Sequence, residues 1–112
     1  MKLVTAVLRP ETFDKVREAL CDIDIPGMTV TEVKGFGKQK GHTELYRGTE
    51  FTVEFIRKVK LEIAISNKNL DWLINTISDI ARTGKKGDGK IFVTNIKKVV
   101  RIRTGETNHD AL

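Results

Sequence analysis

The period of the apolar positions changes repeatedly along this chain, and each change marks an element. Leu3 to Leu8 is a short apolar run, the signature of a buried strand. Phe13, Val16, Leu20 and Ile23 then recur at intervals of three and four, one face of an amphipathic helix. Pro10 sits where a first helical turn tolerates it, and Pro26-Gly27 is the expected stop. Met28 to Lys34 is rich in β-branched residues and predicts a second strand. From Gly35 to Gly48 the pattern dissolves into glycine, lysine and polar residues, a loop long enough to suggest function. Alternation resumes at Phe51, Val53 and Phe55, and again at Val59, Leu61, Ile63 and Ile65, with Lys58, Lys60 and Glu62 on the opposite face. That is a third, long strand. Asn67 is placed to cap a second helix marked by Leu70, Leu73, Ile74, Ile77, Ile80 and Ala81, with Trp72 off the stripe. Ile91 to Ile96 predicts a fourth strand, and Val99 to Arg103 an extended tail.

The resulting order, β-α-β-β-α-β, is that of a ferredoxin-like α+β sandwich: two helices on one face of a four-stranded antiparallel sheet. The whole chain of 112 residues then forms one domain. Two helices cover only one face of such a sheet. Apolar positions on the other face predict an oligomer.

Composition narrows the setting. With 39% hydrophobic and 31% charged residues the chain is neither disordered nor fibrous. Its single cysteine, Cys21, cannot close an internal disulfide, and no apolar run approaches the roughly 20 residues of a membrane helix. The N-terminus lacks a signal-peptide pattern, so the cytoplasm is the expected location. The net charge of +5 is spread over Lys34–Lys40, Arg57–Lys60, Arg82–Lys90 and Lys97–Arg103, each beside a glycine-rich or loop-like segment. Clusters at loops suit a localised anion site better than a nucleic-acid-binding helix.

Gly84-Lys-Lys-Gly-Asp-Gly-Lys90 has the G-x-x-x-x-G-K spacing of a phosphate-binding P-loop. Two features depart from it. Ile91 stands where a P-loop needs a hydroxyl for magnesium, and here a helix precedes the loop and a strand follows, the reverse of the usual order. Backbone N–H groups and Lys90 still suit a polyphosphate, with any magnesium ligated from elsewhere. Arg101 and Arg103, two apart in an extended run, would present their guanidinium groups to one side and add to that anion site. Gly35-Phe-Gly-Lys-Gln-Lys-Gly41 has one residue too many for a dinucleotide fingerprint, but its glycines permit close approach to a ligand. Lys58 sits at the opposite root of that loop, so Gln39 and Lys58 would face one ligand. His42, His109 and Cys21 do not have metal-ligand spacing. An RNA-recognition domain shares this element order, but its central strands need stacking aromatics. Leu3–Leu8 and Lys58–Ile65 have none.

Several stretches, in order, resemble the PII nitrogen-regulatory signal proteins: Gly27-Met-Thr-Val-Thr-Glu-Val-Lys-Gly-Phe-Gly37, Gly41-His-Thr-Glu-Leu-Tyr-Arg-Gly48, Ala81-Arg-Thr-Gly84, Gly87-Asp-Gly-Lys-Ile-Phe-Val93 and Arg101-Ile-Arg-Thr-Gly-Glu106. The resemblance covers essentially the entire chain. It implies a homotrimer with ATP or ADP in three clefts between neighbours, a T-loop at about 37–55, a B-loop at about 82–90 and a C-loop at about 99–106. Carried onto this sequence, Gly87, Asp88, Gly89 and Lys90 would hold the phosphates, joined by Arg101 and Arg103. Thr29 and Ala64 would line adenine and ribose, and Gly37, Lys38 and Gln39 would close the phosphate end. The resemblance also implies 2-oxoglutarate bound by Gly37, Gln39, Lys40, Gly41, Lys58 and Gly87, with Gln39 ligating Mg2+ shared with ATP. Tyr46 and Arg47 would contact partners, such as an ammonium transporter, and ligand state would act by reshaping the T-loop.

One departure changes the expected regulation. Many bacterial members of the family carry a tyrosine where Phe51 stands, and its hydroxyl is uridylylated or adenylylated. Phe51 has none, so control by ligands alone is expected. Some cyanobacterial members are phosphorylated at a serine where Thr49 stands. A weak ATP hydrolase using the same cleft is the alternative reading.

Overall fold

A computed structural model describes residues 1–23, 25–38, 44–46, 49–51 and 53–112, and side chains outside 37–54. The elements are β1 (Lys2–Leu8), α1 (Pro10–Cys21), β2 (Thr29–Lys38), β3 (Glu44–Tyr46), β4 (Thr49–Phe51), β5 (Val53–Ile65), α2 (Leu70–Ala81) and β6 (Gly89–Asn95). β2, β5, β1 and β6 form one antiparallel sheet in that spatial order, while β3 and β4 pair separately. The fold is the ferredoxin-like sandwich, and its two central strands, β1 and β5, are the first and third expected from sequence. β3 lies inside the segment read as loop, and β4 follows directly after it.

Strand alternation decides what is covered. Val4, Ala6 and Leu8 of β1 and Leu61, Ile63 and Ile65 of β5 pack against Val16 and Leu20 of α1 and Leu73 and Ile77 of α2. Burying one such side chain contributes about 1.5–3 kcal/mol. On the opposite face lie Leu3, Thr5 and Val7 with Lys58, Lys60, Glu62 and Ala64, all partly exposed. Phe92, across from Thr5 on the edge strand β6, is 52% exposed.

Several boundaries differ from the sequence reading. α1 ends at Cys21, ahead of Pro26-Gly27, because the N–H of Asp22 turns to the carbonyl of Leu20; Ile23 then lies outside the helix and is exposed. Asn67 does not cap α2: it opens a short 3₁₀ turn, Asn67–Asn69, that leads into the helix. Its Oδ1 accepts instead from the N-terminal ammonium of Met1 at 3.0 Å, and a charged donor makes the stronger bond. β2 does not yield to a loop at Gly35 but runs on to Lys38, paired with Val53. Here glycine clears space rather than ending the strand. A Cβ on Gly35 would lie 3.3 Å from Cγ of Lys58, so its absence lets the lysine stem cross the sheet face. One residue on, Phe36 and Phe55 stand directly opposite each other with ring centroids 5.9 Å apart.

The Arg101–Arg103 segment is not extended. Residues 102–104 form a turn, closed by Gly105 N–H donating to the Arg101 carbonyl at 2.8 Å and by a bridge between Val100 and Thr107. The reason lies at Gly105, whose φ of +74° supplies the left-handed residue a tight turn needs. The two arginines therefore do not share a strand face.

Candidate anion site at the 82–90 loop

α2 ends at Ala81, and the chain must return to start β6 beside the last residue of β1, since Gly89 pairs with Leu8. The return is tight. Gly89 has φ of +107°, and a Cβ there would stand 1.7 Å from the carbonyl oxygen of Val7, so no other residue fits without moving backbone.

Asp88 organises the loop from within. Its carboxylate accepts from Thr83 N–H at 2.8 Å, Gly84 N–H at 3.0 Å, the Thr83 hydroxyl, and Arg9 Nε at 3.2 Å. These bonds, the Thr83 hydroxyl foremost, hold its carboxyl well below the usual carboxylate range, against a weaker opposing effect of burial. Because the folded value is depressed, this contribution to stability is complete above the unfolded carboxylate pKa of about 3.9 and is lost only as pH falls through the lower folded value.

Two cations grip the other side of the loop. Arg9, the first residue after β1, donates from Nη2 to the carbonyl of Lys86, and Lys58 donates from Nζ to the carbonyl of Gly87. Gly87, with φ of +98°, lies under both, since a Cβ there would approach Arg9 Nη2 to 3.1 Å and Lys58 Nζ to 3.5 Å. The peptides among the described residues are trans, so a carbonyl aimed one way aims the next N–H the other way. The N–H groups of Gly87 and Asp88 therefore point away from Arg9 and Lys58, respectively. Among the described residues the N–H groups of Lys86 and Gly87 have no protein acceptor, whereas the Asp88 N–H closes the turn at residues 86–87. Adjacent unpaired donors in a glycine loop, with Lys90 exposed beside them, have the chemistry of an anion cradle.

The family model for "Nitrogen regulatory protein P-II" matches residues 1–106. Over its full 112 residues, and the full length of each relative, the chain is 57% identical to nitrogen regulatory protein GlnK of Escherichia coli. On the same full-length basis it is 56% identical to nitrogen regulatory protein P-II of Pasteurella multocida and 53% to that of Rhizobium meliloti. The chain belongs to the PII family of nitrogen regulatory proteins.

Within this PII chain the expected site residues fall into separate groups. Thr29, Lys58 and Ala64 lie on the helix-free face of β2 and β5, with Lys58 near the 82–90 loop and Ala64 at the far end. Lys58 and Ala64 are six steps apart along β5, roughly 20 Å. The backbone of Gly37 and Lys38 pairs with Glu54 and Val53. Gln39, Lys40, Gly41 and Arg47 lie outside the described residues, and Tyr46 and Phe51 are described in backbone only.

Arg101 and Arg103 are not brought to the loop. β6 runs antiparallel to β1 for seven residues, about 23 Å, from Gly89 beside Leu8 to Asn95 beside Lys2. The chain beyond it stays at the far end: Ile96 N–H donates to the Met1 carbonyl at 3.1 Å, and Leu112 borders a depression of about 420 Å3 with Ile65, Ser66 and Trp72. Arg101 is anchored there, to Glu106 at 3.3 Å and to the Leu112 carbonyl at 3.4 Å. Nearness in sequence to Lys90 did not become nearness in space, because a whole strand intervenes. Arg9 is the loop residue that sequence reasoning missed. A single arginine after a strand carries no motif, and 79 positions separate it from Asp88.

Among the described residues no cluster of three or more His, Cys, Asp or Glu could hold a metal ion, and no helix is long and apolar enough to cross a membrane. The donors present fit phosphate rather than a bare cation.

Proposed function

We propose that this protein is a trimeric, non-enzymatic cytoplasmic sensor that binds ATP or ADP and 2-oxoglutarate and reports their levels to nitrogen-metabolism partners. The phosphates sit against the N–H of Gly87, with Gly89 and Lys90 completing the cradle and Gly37, Lys38 and Gln39 closing it. Adenine and ribose run toward Thr29 and Ala64. Since Arg101 and Arg103 lie a strand's length from the loop of their own chain, they reach the nucleotide from the neighbouring subunit. Each cleft is then incomplete without a second copy.

Magnesium is held by phosphate oxygens and Gln39, and it supplies the charge that draws in 2-oxoglutarate. A carboxylate of that ligand engages Lys58, with Gly37, Lys40, Gly41 and Gly87 around it. Ligand state shifts the population of T-loop conformations that dock, through Tyr46 and Arg47, on a partner such as an ammonium transporter. With Phe51 in place of tyrosine, regulation runs through ligands alone.

The observation that carries this reading is the 86–88 loop, whose carbonyls are turned onto Arg9 and Lys58 while the N–H groups of Lys86 and Gly87 are left for an anion. Calorimetric titration tests it. Binding of 2-oxoglutarate is expected only in the presence of Mg-ATP and should be abolished by Lys58→Ala. A wild-type protein with no affinity for ATP or ADP would sink the reading.

A further inference from the structure

We propose that Arg9 and Asp88 form a brace that sets the phosphate affinity of the 82–90 loop without either side chain touching the nucleotide. The inference rests on the nucleotide-binding reading above and deepens it. Asp88 carries a full negative charge at one end of a site meant for polyphosphate, which by Coulomb's law alone opposes binding. Its carboxylate is nevertheless committed inward, to Thr83, Gly84 and Arg9.

Arg9 closes the arrangement. Its Nε meets Asp88 at 3.2 Å while Nη2 of the same guanidinium draws on the Lys86 carbonyl. One planar, rigid cation thus holds two points of the loop at fixed separation, which a flexible ammonium would not do. The consequence is felt at the Lys86–Gly87 peptide. With its carbonyl on Arg9, the Gly87 N–H faces the anion position. Without Arg9, glycine's backbone freedom at φ of +98° allows that peptide to rotate and present a carbonyl oxygen to the phosphates instead. Arg9 and Asp88 are therefore positioning residues, acting through backbone N–H groups.

Asp88→Asn separates this role from a charge effect, because the two predict opposite signs. Removing a negative charge beside the phosphates would tighten ATP binding if charge alone mattered. Loosening the brace should weaken it, by roughly five- to tenfold for loss of a charge-assisted bond. Calorimetric titration of the wild type, Asp88→Asn, Arg9→Gln and the double variant with ATP, ADP and adenosine gives the needed comparison. We expect ATP and ADP to lose affinity in both single variants and adenosine to stay within about twofold, since the brace acts only at the phosphate end. The double variant should be little worse than either single one, because both changes release the same loop. Unchanged or tighter ATP binding by Asp88→Asn overturns the proposal, as does an equal loss for adenosine. If Arg9→Gln does not fold, Asp88→Asn alone decides. Intact wild-type ATP binding with an unaffected Asp88→Asn variant defeats the brace but leaves the proposed function standing, whereas a wild type that binds no nucleotide defeats both.

Discussion

At the scale of single residues, the 82–90 loop shows how differently one residue type is used. Gly87 gives two cations access to backbone carbonyls, whereas Gly89 gives β1 and β6 room to meet. The second requirement is the stricter. A methyl group at Gly89 must displace the Val7 carbonyl and also hold a left-handed backbone. Gly89→Ala should therefore destabilise the fold by about 1–3 kcal/mol, the usual cost of one strained residue. Chemical denaturation would show it as a lowered midpoint, and an unchanged midpoint would contradict the clash. The glycine pattern was legible in the sequence as a tight loop between α2 and β6. Its supports, Arg9 and Asp88, were not legible as a pair, because only the β1–β6 register brings them together.

Period alone placed α2 well, though it carried the α1 stripe too far, to Ile23. α2 runs from Leu70 to Ala81, the span its apolar stripe marks, with Leu73 and Ile77 fully buried and Trp72 39% exposed. Truncating Ile77 to Ala should cost about 2–5 kcal/mol, because the cavity it leaves lies between rigid strands and α1. Thermal unfolding would report it; a loss below 1 kcal/mol would mean that the helix carries little of the core. Reading failed where residue type was taken for conformation. Gly35 and Gly37 looked like a loop yet sit in β2, since strand pairing to Ile56 and Glu54 outweighs their weak intrinsic preference. Arg101 and Arg103 looked extended, yet Gly105 four residues on turns the chain.

On the scale of the molecule, the helix-free face of the sheet remains to be covered. Leu3, Val7 and Phe92 share it with Lys58, Lys60 and Glu62, a mixture suited to a subunit interface that also holds a charged ligand. Wild-type protein is expected to sediment as a trimer at micromolar concentration. Phe92→Asp, which would place a carboxylate in that interface, should shift it toward monomer. A monomeric wild type would rule out the proposed shared cleft and with it the proposed role of Arg101 and Arg103 at the phosphates.

Sequence by itself determined the order of the four main-sheet strands and two helices, the covered face of the sheet, the glycine loop and the family, because each depends on local period or on residue type at short spacing. Tertiary structure alone decided which cations stand on the loop and which stand a strand's length away. Register couples residues far apart in the chain, and a turn of a few residues reverses direction, so distance along the sequence is no measure of distance in space. Lys90 and Arg101 are close neighbours in sequence yet belong to opposite ends of the sheet, while Arg9 and Asp88 share an ion pair.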